Sequence, residues 1–537
     1  MDRDALIAIS IYIKQISNLS KFHKNNPQST RSFHICSKLN EYSLKLEKYM
    51  AFNIEEEKVS LFWRRTKIIA TLGPSSKSEK CISDLIDSGA DIFRLNMSHG
   101  THDEHRLLAQ KIRKIAKRKN THVGILMDLC GPKIRVGMFE NGSIELNRGD
   151  EIIVSCSKST GGKGLIPSQY KSLYKDVKKS DRILLDDGKL ELIVKSVIEK
   201  EVKCEVVYGG ILRDKKGLNL PDSKISTSSF TAKDKNDAKL AVELEADFLA
   251  LSFVRDEKCI KTLKRFIANL GNEIPVIAKI EKPEAITHIN SILNEADGIM
   301  VARGDLGIEM PAEQVPLIQK DLINKARFHG KPVIVATQML ESMITSSKAT
   351  RAEVGDVANA ALSSADAVML SAETASGDYP VLAVEMMDKI CREIESHQWQ
   401  HGKFGEDDFE ECTDMIESDR KAIARAVKSL AHELQLQGIL VPTRSGTTAK
   451  VLSADRPVSP LIGISSKEHI CRRLSINWGV VPIHISEEYT HDWQDLCNKV
   501  VKMCCLTKTG NRILLVSGFS DDPELNEPVL KLMHVKS

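Results

Sequence analysis

The sequence predicts an α/β protein. At its centre is an eight-stranded (β/α)8 barrel, interrupted by a small β domain and followed by a further α/β domain. Three observations carry this reading. Short apolar, β-branched runs alternate with amphipathic helical segments eight times between Thr66 and Thr374. One long stretch, residues 132–227, breaks that rhythm and reads with period two. After about residue 400 a new strand and helix alternation begins.

Residues 1–63 read as an N-terminal extension. Residues 5–40 hold no Asp or Glu, but carry Lys14, Lys21, Lys24, Arg31, Lys38 and six serines. A basic, serine-containing, acid-poor leader fits a transit peptide to a plastid or mitochondrion. The plainer reading is a disordered extension of a cytoplasmic protein, with Met50 as the functional start. Cytoplasm is the expected location, and an organelle is the alternative if residues 1–60 are a transit peptide.

The barrel domain is expected over 64–131 and 228–400. Its strand candidates are TKIIATLG (66–73), ADIFRLNMSH (90–99), VGILMDL (123–129), DFLALSFV (247–254), PVIAKIE (275–281), DGIMVARGDLG (297–307), PVIVATQ (332–338) and DAVMLSAET (366–374). Near-continuous apolar runs are what parallel strands covered on both faces look like. SEKCISDLID, EHRLLAQKIRKIAKR, KTLKRFIANL and AEQVPLIQKDLINKARF are the amphipathic helices between them. Residues 132–227 read as KIRVGMF, SIELN, DEIIVSC, DRILLDDG, LELIVKSV and EVKCEVVYGG, without an amphipathic helix. They are expected to form a small β-barrel lid over the barrel mouth. Without them the stretch 66–374 holds about 213 residues, a length that suits a compact TIM barrel. Residues 401–537 form the predicted C-terminal α/β domain, entered by RKAIARAVKSLAHEL and GILVPT.

Composition narrows the function. Lys and Arg (76) nearly balance Asp and Glu (73), so no basic footprint for nucleic acid is present. No apolar run reaches membrane-spanning length. Twelve cysteines without a CxxC pair or disulfide-like spacing fit a reducing compartment. No P-loop or dinucleotide fingerprint occurs, and GGKG (161–164) lies in the wrong context.

A barrel of this type places its chemistry at the C-terminal ends of its strands. Those ends carry Arg94, Asn96, Ser98, Asp128, Ser252, Lys279, Glu281, Arg303, Gly304, Asp305, Thr337, Ser371 and Glu373. Spacing of two puts Lys279 and Glu281 on one side of their strand. Glu281 and Asp305 are hard oxygen donors suited to Mg2+. Lys279 and Arg94 add positive charge for an anionic, phosphorylated substrate.

TKIIATLGPSS, FRLNMSHGTHDEH, KIEKPEA, MVARGDLGIEMPAEQVPLIQK, ATQMLESMI, TRAEVGDVANA and MLSAETASGDYP resemble pyruvate kinase, in its bacterial-type, Lys133-containing, K+-independent subgroup. The resemblance runs from about Arg65 to Gly377, and more loosely to the end. It implies phosphoryl transfer from phosphoenolpyruvate to ADP, giving pyruvate and ATP, in a homotetramer. It implies Lys279, Arg94, Thr337, Ser371 and Glu373 as catalytic residues. Arg94, Lys279, Gly304, Asp305 and Thr337 bind substrate, and Glu281 and Asp305 hold Mg2+ or Mn2+. Asn96, Met97, Ser98, His99, Arg135 and Lys216 match nucleotide positions, with Asp186 or Asp187 facing the nucleotide metal. Asn96, Ser98, Asp128 and Leu129 match a K+ site. An aldolase acting on pyruvate, or an inactive scaffold derived from such a kinase, are the competing classes.

One departure matters. Many members carry DTKGPEIR where this chain has Asp128-Leu-Cys-Gly-Pro-Lys133-Ile-Arg135. An ammonium in place of a carboxylate changes the local charge by two units, which disfavours K+ nearby. Lys133 is expected to take the place of K+. In the C-terminal domain, Thr443, Arg444, Ser445, Gly446, Thr447 and Thr448 form a turn suited to a phosphate. The acidic loop with Asp521, Asp522 and Glu524 points to a monophosphate effector, AMP or a sugar phosphate. The histidines of HGTHDEH and the cations of KIRKIAKRK read as surface helix, and Cys504-Cys505 as core.

Overall fold

The computed structural model describes residues 64–400, 404, 419–485, 493–504, 512–519 and 526–535. The leader, the acidic loop residues Asp521, Asp522 and Glu524, and Cys505 lie outside them. Cys504 is buried.

Eight parallel strands close into a barrel: β1 (Lys67–Thr71), β2 (Ile92–Asn96), β3 (Gly124–Asp128), β4 (Phe248–Leu251), β5 (Val276–Ile280), β6 (Gly298–Ala302), β7 (Val333–Ala336) and β8 (Ala367–Leu370). Alternate residues divide between two cores. Ile69, Ile92, Leu126, Phe248, Ile277, Met300, Ile334 and Met369 fill the interior. Ile68, Phe93, Leu95, Ile125, Leu249, Val301 and Val368 pack outward against the helices. That double burial is why the strands read as unbroken apolar runs. The helices have clear starts. Thr101, Thr231 and Thr350 each close a capping box with an acid three residues on, which satisfies two free N–H groups at once.

Residues 132–227 form a six-stranded sheet and two short two-stranded sheets over one core. They contain one helical turn, Leu173–Asp176, which the period-two reading leaves out. KIRVGMF contributes only isolated bridges at Arg135 and Val136 and the short strand Met138–Phe139. The C-terminal domain is a five-stranded sheet of β9 (Gly438–Pro442), β10 (Leu461–Ser465), β11 (Val480–His484), β12 (Arg512–Ser517) and β13 (Val529–His534). Its order is β11-β10-β9-β12-β13, and only the last strand is antiparallel.

A repeated brace closes the N-terminal rim of the barrel. Ala-Asp stands immediately before each even strand, with the aspartates Asp91, Asp247, Asp297 and Asp366. Each accepts a backbone N–H from the preceding odd strand: Ile68 (2.8 Å), Ile125 (2.8 Å), Val276 (2.8 Å) and Val333 (3.1 Å). Each also meets a cation. Arg64 pairs with Asp91, and Lys264 lies 2.8 Å from Asp297. Asp247 holds both Arg113 (2.8 Å) and Arg472 (2.9 Å), and Asp366 holds Arg456 (2.8 Å). Arg472 and Arg456 come from the C-terminal domain, which also sends Ile476 into the barrel interior.

Candidate active site

At the opposite rim, charged side chains converge. Arg94 from β2 reaches across to Asp128 at the end of β3, with Nε at 2.8 Å and Nη2 at 2.7 Å from Oδ2. Lys279 from β5 lies 3.4 Å from Asp128 Oδ1 and 2.8 Å from Glu281 Oε1. Its Nζ also donates to Ser252 Oγ (2.8 Å), which donates to the Leu129 carbonyl (2.7 Å). The second Glu281 oxygen accepts the Phe253 N–H at 2.8 Å. The strand-end residues Arg94, Asp128, Ser252, Lys279 and Glu281 therefore form one continuous network.

The electrostatics follow from burial and neighbours. Burial opposes charge on Asp128, yet Lys279 and Arg94 hold its carboxyl below the usual range. Burial likewise opposes the Lys279 ammonium, and Asp128, Glu281 and Asp305 outweigh it, so the pKa is raised. Glu281 goes the other way. Burial, joined by the like charge of Asp305, raises its pKa despite Lys279. Two cations here face three carboxylates, so the mouth favours one further positive charge. The Glu281 and Asp305 donor set fits a divalent cation of the Mg2+ class, which uses one or two carboxylates plus substrate and water oxygens. No larger His, Cys, Asp or Glu cluster suited to a metal occurs among the described residues.

Thr337 sits on strained backbone. Its φ is 68°, and that of Gln338 is 52°, a costly region for a β-branched residue. Arg303 holds this turn, donating to the carbonyls of Thr337 (2.7 Å) and Gln338 (2.9 Å) while pairing with Asp356 (2.7 Å). The Gly304 N–H donates to Thr337 Oγ1 at 2.8 Å. A Cβ on Gly304 would stand 3.3 Å from that hydroxyl, so the close approach calls for glycine. Glu373 is buried and accepts the N–H groups of Ser371 (2.7 Å) and Leu340 (3.2 Å).

The match to models of known families decides the lineage. Residues 63–384 fit the pyruvate kinase barrel domain, and residues 421–525 fit the pyruvate kinase alpha/beta domain. The chain belongs to the pyruvate kinase family. It is 44% identical to pyruvate kinase 2 of Synechocystis sp. over 428 residues, 78% of this chain and 70% of that one. It is also 44% identical to a Staphylococcus aureus pyruvate kinase over 423 residues, 78% of this chain and 72% of that one. A crystal structure of a pyruvate kinase from Cryptosporidium parvum matches with a TM-score of 0.80 and 34% identity. The match covers 88% of this chain and 96% of that one.

Set beside the pyruvate kinase expectations, the remaining residues divide. Asn96 ends β2 and Met97, Ser98 and His99 form the loop after it, where Asn96 Oδ1 accepts the Ser98 N–H (3.1 Å). That loop is tethered by residues the sequence reading passed over. Lys233 donates to the Met97 carbonyl (2.6 Å) and pairs with Asp237 (2.6 Å), which lies 2.8 Å from His102 Nε2. His105 is buried against the His99 carbonyl. HGTHDEH is thus part of the loop's support rather than plain surface helix. The KIRKIAKRK cations are also engaged, through Arg113–Asp247, Lys114–Glu79 and Lys119–Asp87. Thr71 is a further omission: its hydroxyl accepts from Arg94 Nη1 at 3.1 Å.

Arg135 and Lys216 lie in the inserted domain, where Arg135 bridges Gly217 and donates to the Lys215 carbonyl (2.9 Å). Lys216 pairs with Asp186 (2.8 Å). Lys133 is exposed, and the Leu129 carbonyl is bonded to Ser252. In the C-terminal turn, Thr443 Oγ1 accepts the Gly446 N–H (2.9 Å), Ser445 Oγ lies 2.9 Å from Thr447 Oγ1, Thr448 is buried and Arg444 is exposed.

Proposed function

We propose that this chain transfers the phosphoryl group of phosphoenolpyruvate to ADP, leaving pyruvate and ATP. The observation that carries the reading is Lys279, only 12% exposed at the barrel mouth between Asp128 and Glu281. The bond between phosphorus and the enol oxygen breaks as the bond to the ADP oxygen forms, and the enolate takes a proton at its methylene carbon. Such a reaction asks for positioning and charge neutralisation rather than a protein nucleophile. Lys279 faces the charge on the phosphoryl and enol oxygens, and Arg94 holds the phosphoryl group. Gly304 and Asp305, through their backbone N–H groups, and the Thr337 hydroxyl receive the substrate carboxylate. Thr337, Ser371 and Glu373 serve proton delivery. Glu281 and Asp305 hold Mg2+ or Mn2+, which supplies further neutralisation of the phosphoryl oxygens. The segment Asn96–His99 at the end of β2, with Arg135 and Lys216 of the inserted domain, takes the nucleotide, and that domain acts as a lid that excludes water.

A coupled assay for ATP formation from phosphoenolpyruvate and ADP tests the reading; no ATP with Mg2+ or Mn2+ would sink it. K+ is replaced by Lys133, a reading supported by the charge reversal at that position. Adding K+ to a K+-free assay is expected to raise turnover by less than about twofold, under ~0.4 kcal/mol. Strong activation would reject it. The chain works as a homotetramer. The turn Thr443–Thr448 takes the phosphate of AMP or a sugar monophosphate, supported by the hydroxyls gathered there. Potent activation by fructose 1,6-bisphosphate would count against this effector class.

A further inference from the structure

The two carboxylates assigned to the metal sit on different elements. Glu281 follows β5, and Asp305 lies on the short helix Arg303–Glu309. The next residue after Glu281 and the residue one turn beyond Asp305 are joined directly. Lys282 Nζ lies 2.6 Å from Glu309 Oε1, with both side chains nearly fully buried, at 6% and 1% exposure. The same Glu309 oxygen accepts Asn219 Nδ2 of the inserted domain at 3.1 Å. The other oxygen is buried without a hydrogen-bond partner.

A buried ion pair is a poor source of stability, because desolvating both charges offsets their attraction. What it does supply is a fixed distance. Lys282 is the chain neighbour of Glu281, and Glu309 lies one helical turn after Asp305, so the Lys282–Glu309 strut ties together the two segments that carry Glu281 and Asp305. We propose that Lys282 and Glu309 are positioning residues that set the separation of the two metal carboxylates. Asn219 lets the inserted domain seat itself on that strut. This rests on the metal reading given above.

Electrostatics alone predicts the opposite sign for one variant. Removing the Lys282 cation beside a dication site should tighten metal binding, whereas loss of positioning weakens it. The test is titration of the full chain with Mn2+ alone, reading free Mn2+ by electron paramagnetic resonance. Lys282→Met is expected to bind Mn2+ about tenfold more weakly. The double variant K282M/E309M leaves no unpaired buried charge and keeps the net charge. It is expected to fold with an unchanged melting temperature, yet to show the same loss of about tenfold. Parental Mn2+ affinity in the double variant overturns the proposal, as does tighter binding in Lys282→Met. Asn219→Ala leaves the strut in place and should retain Mn2+ affinity; a loss equal to that of Lys282→Met would assign the geometry to the inserted domain instead. Glu281→Gln separates the two readings. If it leaves Mn2+ binding unchanged, the metal assignment fails. If it abolishes binding while K282M/E309M matches the parent, only the strut fails.

Discussion

Lys279→Met is expected to lower kcat about a thousandfold, or ~4 kcal/mol of barrier. Among the described residues the side chain is the one cation in contact with both Asp128 and Glu281, and it reaches the mouth from a strand rather than a loop. Rigid placement makes its charge effective without reorganisation at the moment of transfer. The KM for phosphoenolpyruvate should move far less than kcat, because Arg94 and the Gly304 turn remain. Lys279→Arg gives the second half of the test. It keeps the charge that balances two buried carboxylates, so folding is preserved, but a planar guanidinium cannot reproduce the point contact of an ammonium. Initial rates of ATP formation measure both variants. A Lys279→Met enzyme within about tenfold of the parent would remove Lys279 from the chemistry.

Asp366→Ala is expected to cost about 3–5 kcal/mol of stability, the usual penalty for stranding a buried charge. Arg456 is fully buried; it also donates to the carbonyls of Ser364 and Ser453 and lies over the Trp478 ring at 5.2 Å, but Asp366 is the carboxylate it pairs with. Asp366 also accepts the Val333 and Trp478 N–H groups, so the same change strips two backbone donors. Asp297→Ala should cost only about 1–2 kcal/mol, because Lys264 is one-third exposed and can turn to water. Urea midpoints of the full chain separate the two. Equal shifts would show that the brace, and not burial of the arginine, sets the cost.

The barrel was legible because parallel strands covered on both sides leave long apolar runs, and the charges at the ends of those runs stand out against them. Arg94, Asp128, Lys279 and Glu281 were found that way. Thr71 was missed because the run TKIIATLG ends without a charged residue to draw attention to it, although Ser252 was picked out on a hydroxyl alone. The Phe253 N–H was missed because a backbone group carries none. Lys233 lies on a helix, away from the strand ends searched, and its contact with the Met97 carbonyl exists only once two distant elements meet. In the inserted domain, pairings as short as Thr160–Gly161 and Leu218–Asn219 are set by tertiary contact and not by local pattern. The Ala-Asp pairs look like ordinary polar starts to a strand, and their fourfold recurrence acquires meaning only with the ring closed.

Of the four braces, the two answered by the C-terminal domain belong to β4 and β8, which stand four places apart in a ring of eight. The arginines therefore grip the ring at opposite ends of a diameter, with Ile476 as a plug between them. A turn of that domain cannot be absorbed by a single strand. It would be passed to both sides of the barrel floor, and Arg456 and Arg472 are two of the links that carry it, beside those from Lys67 to the Val480 carbonyl and from Arg473 to the Glu273 carbonyl.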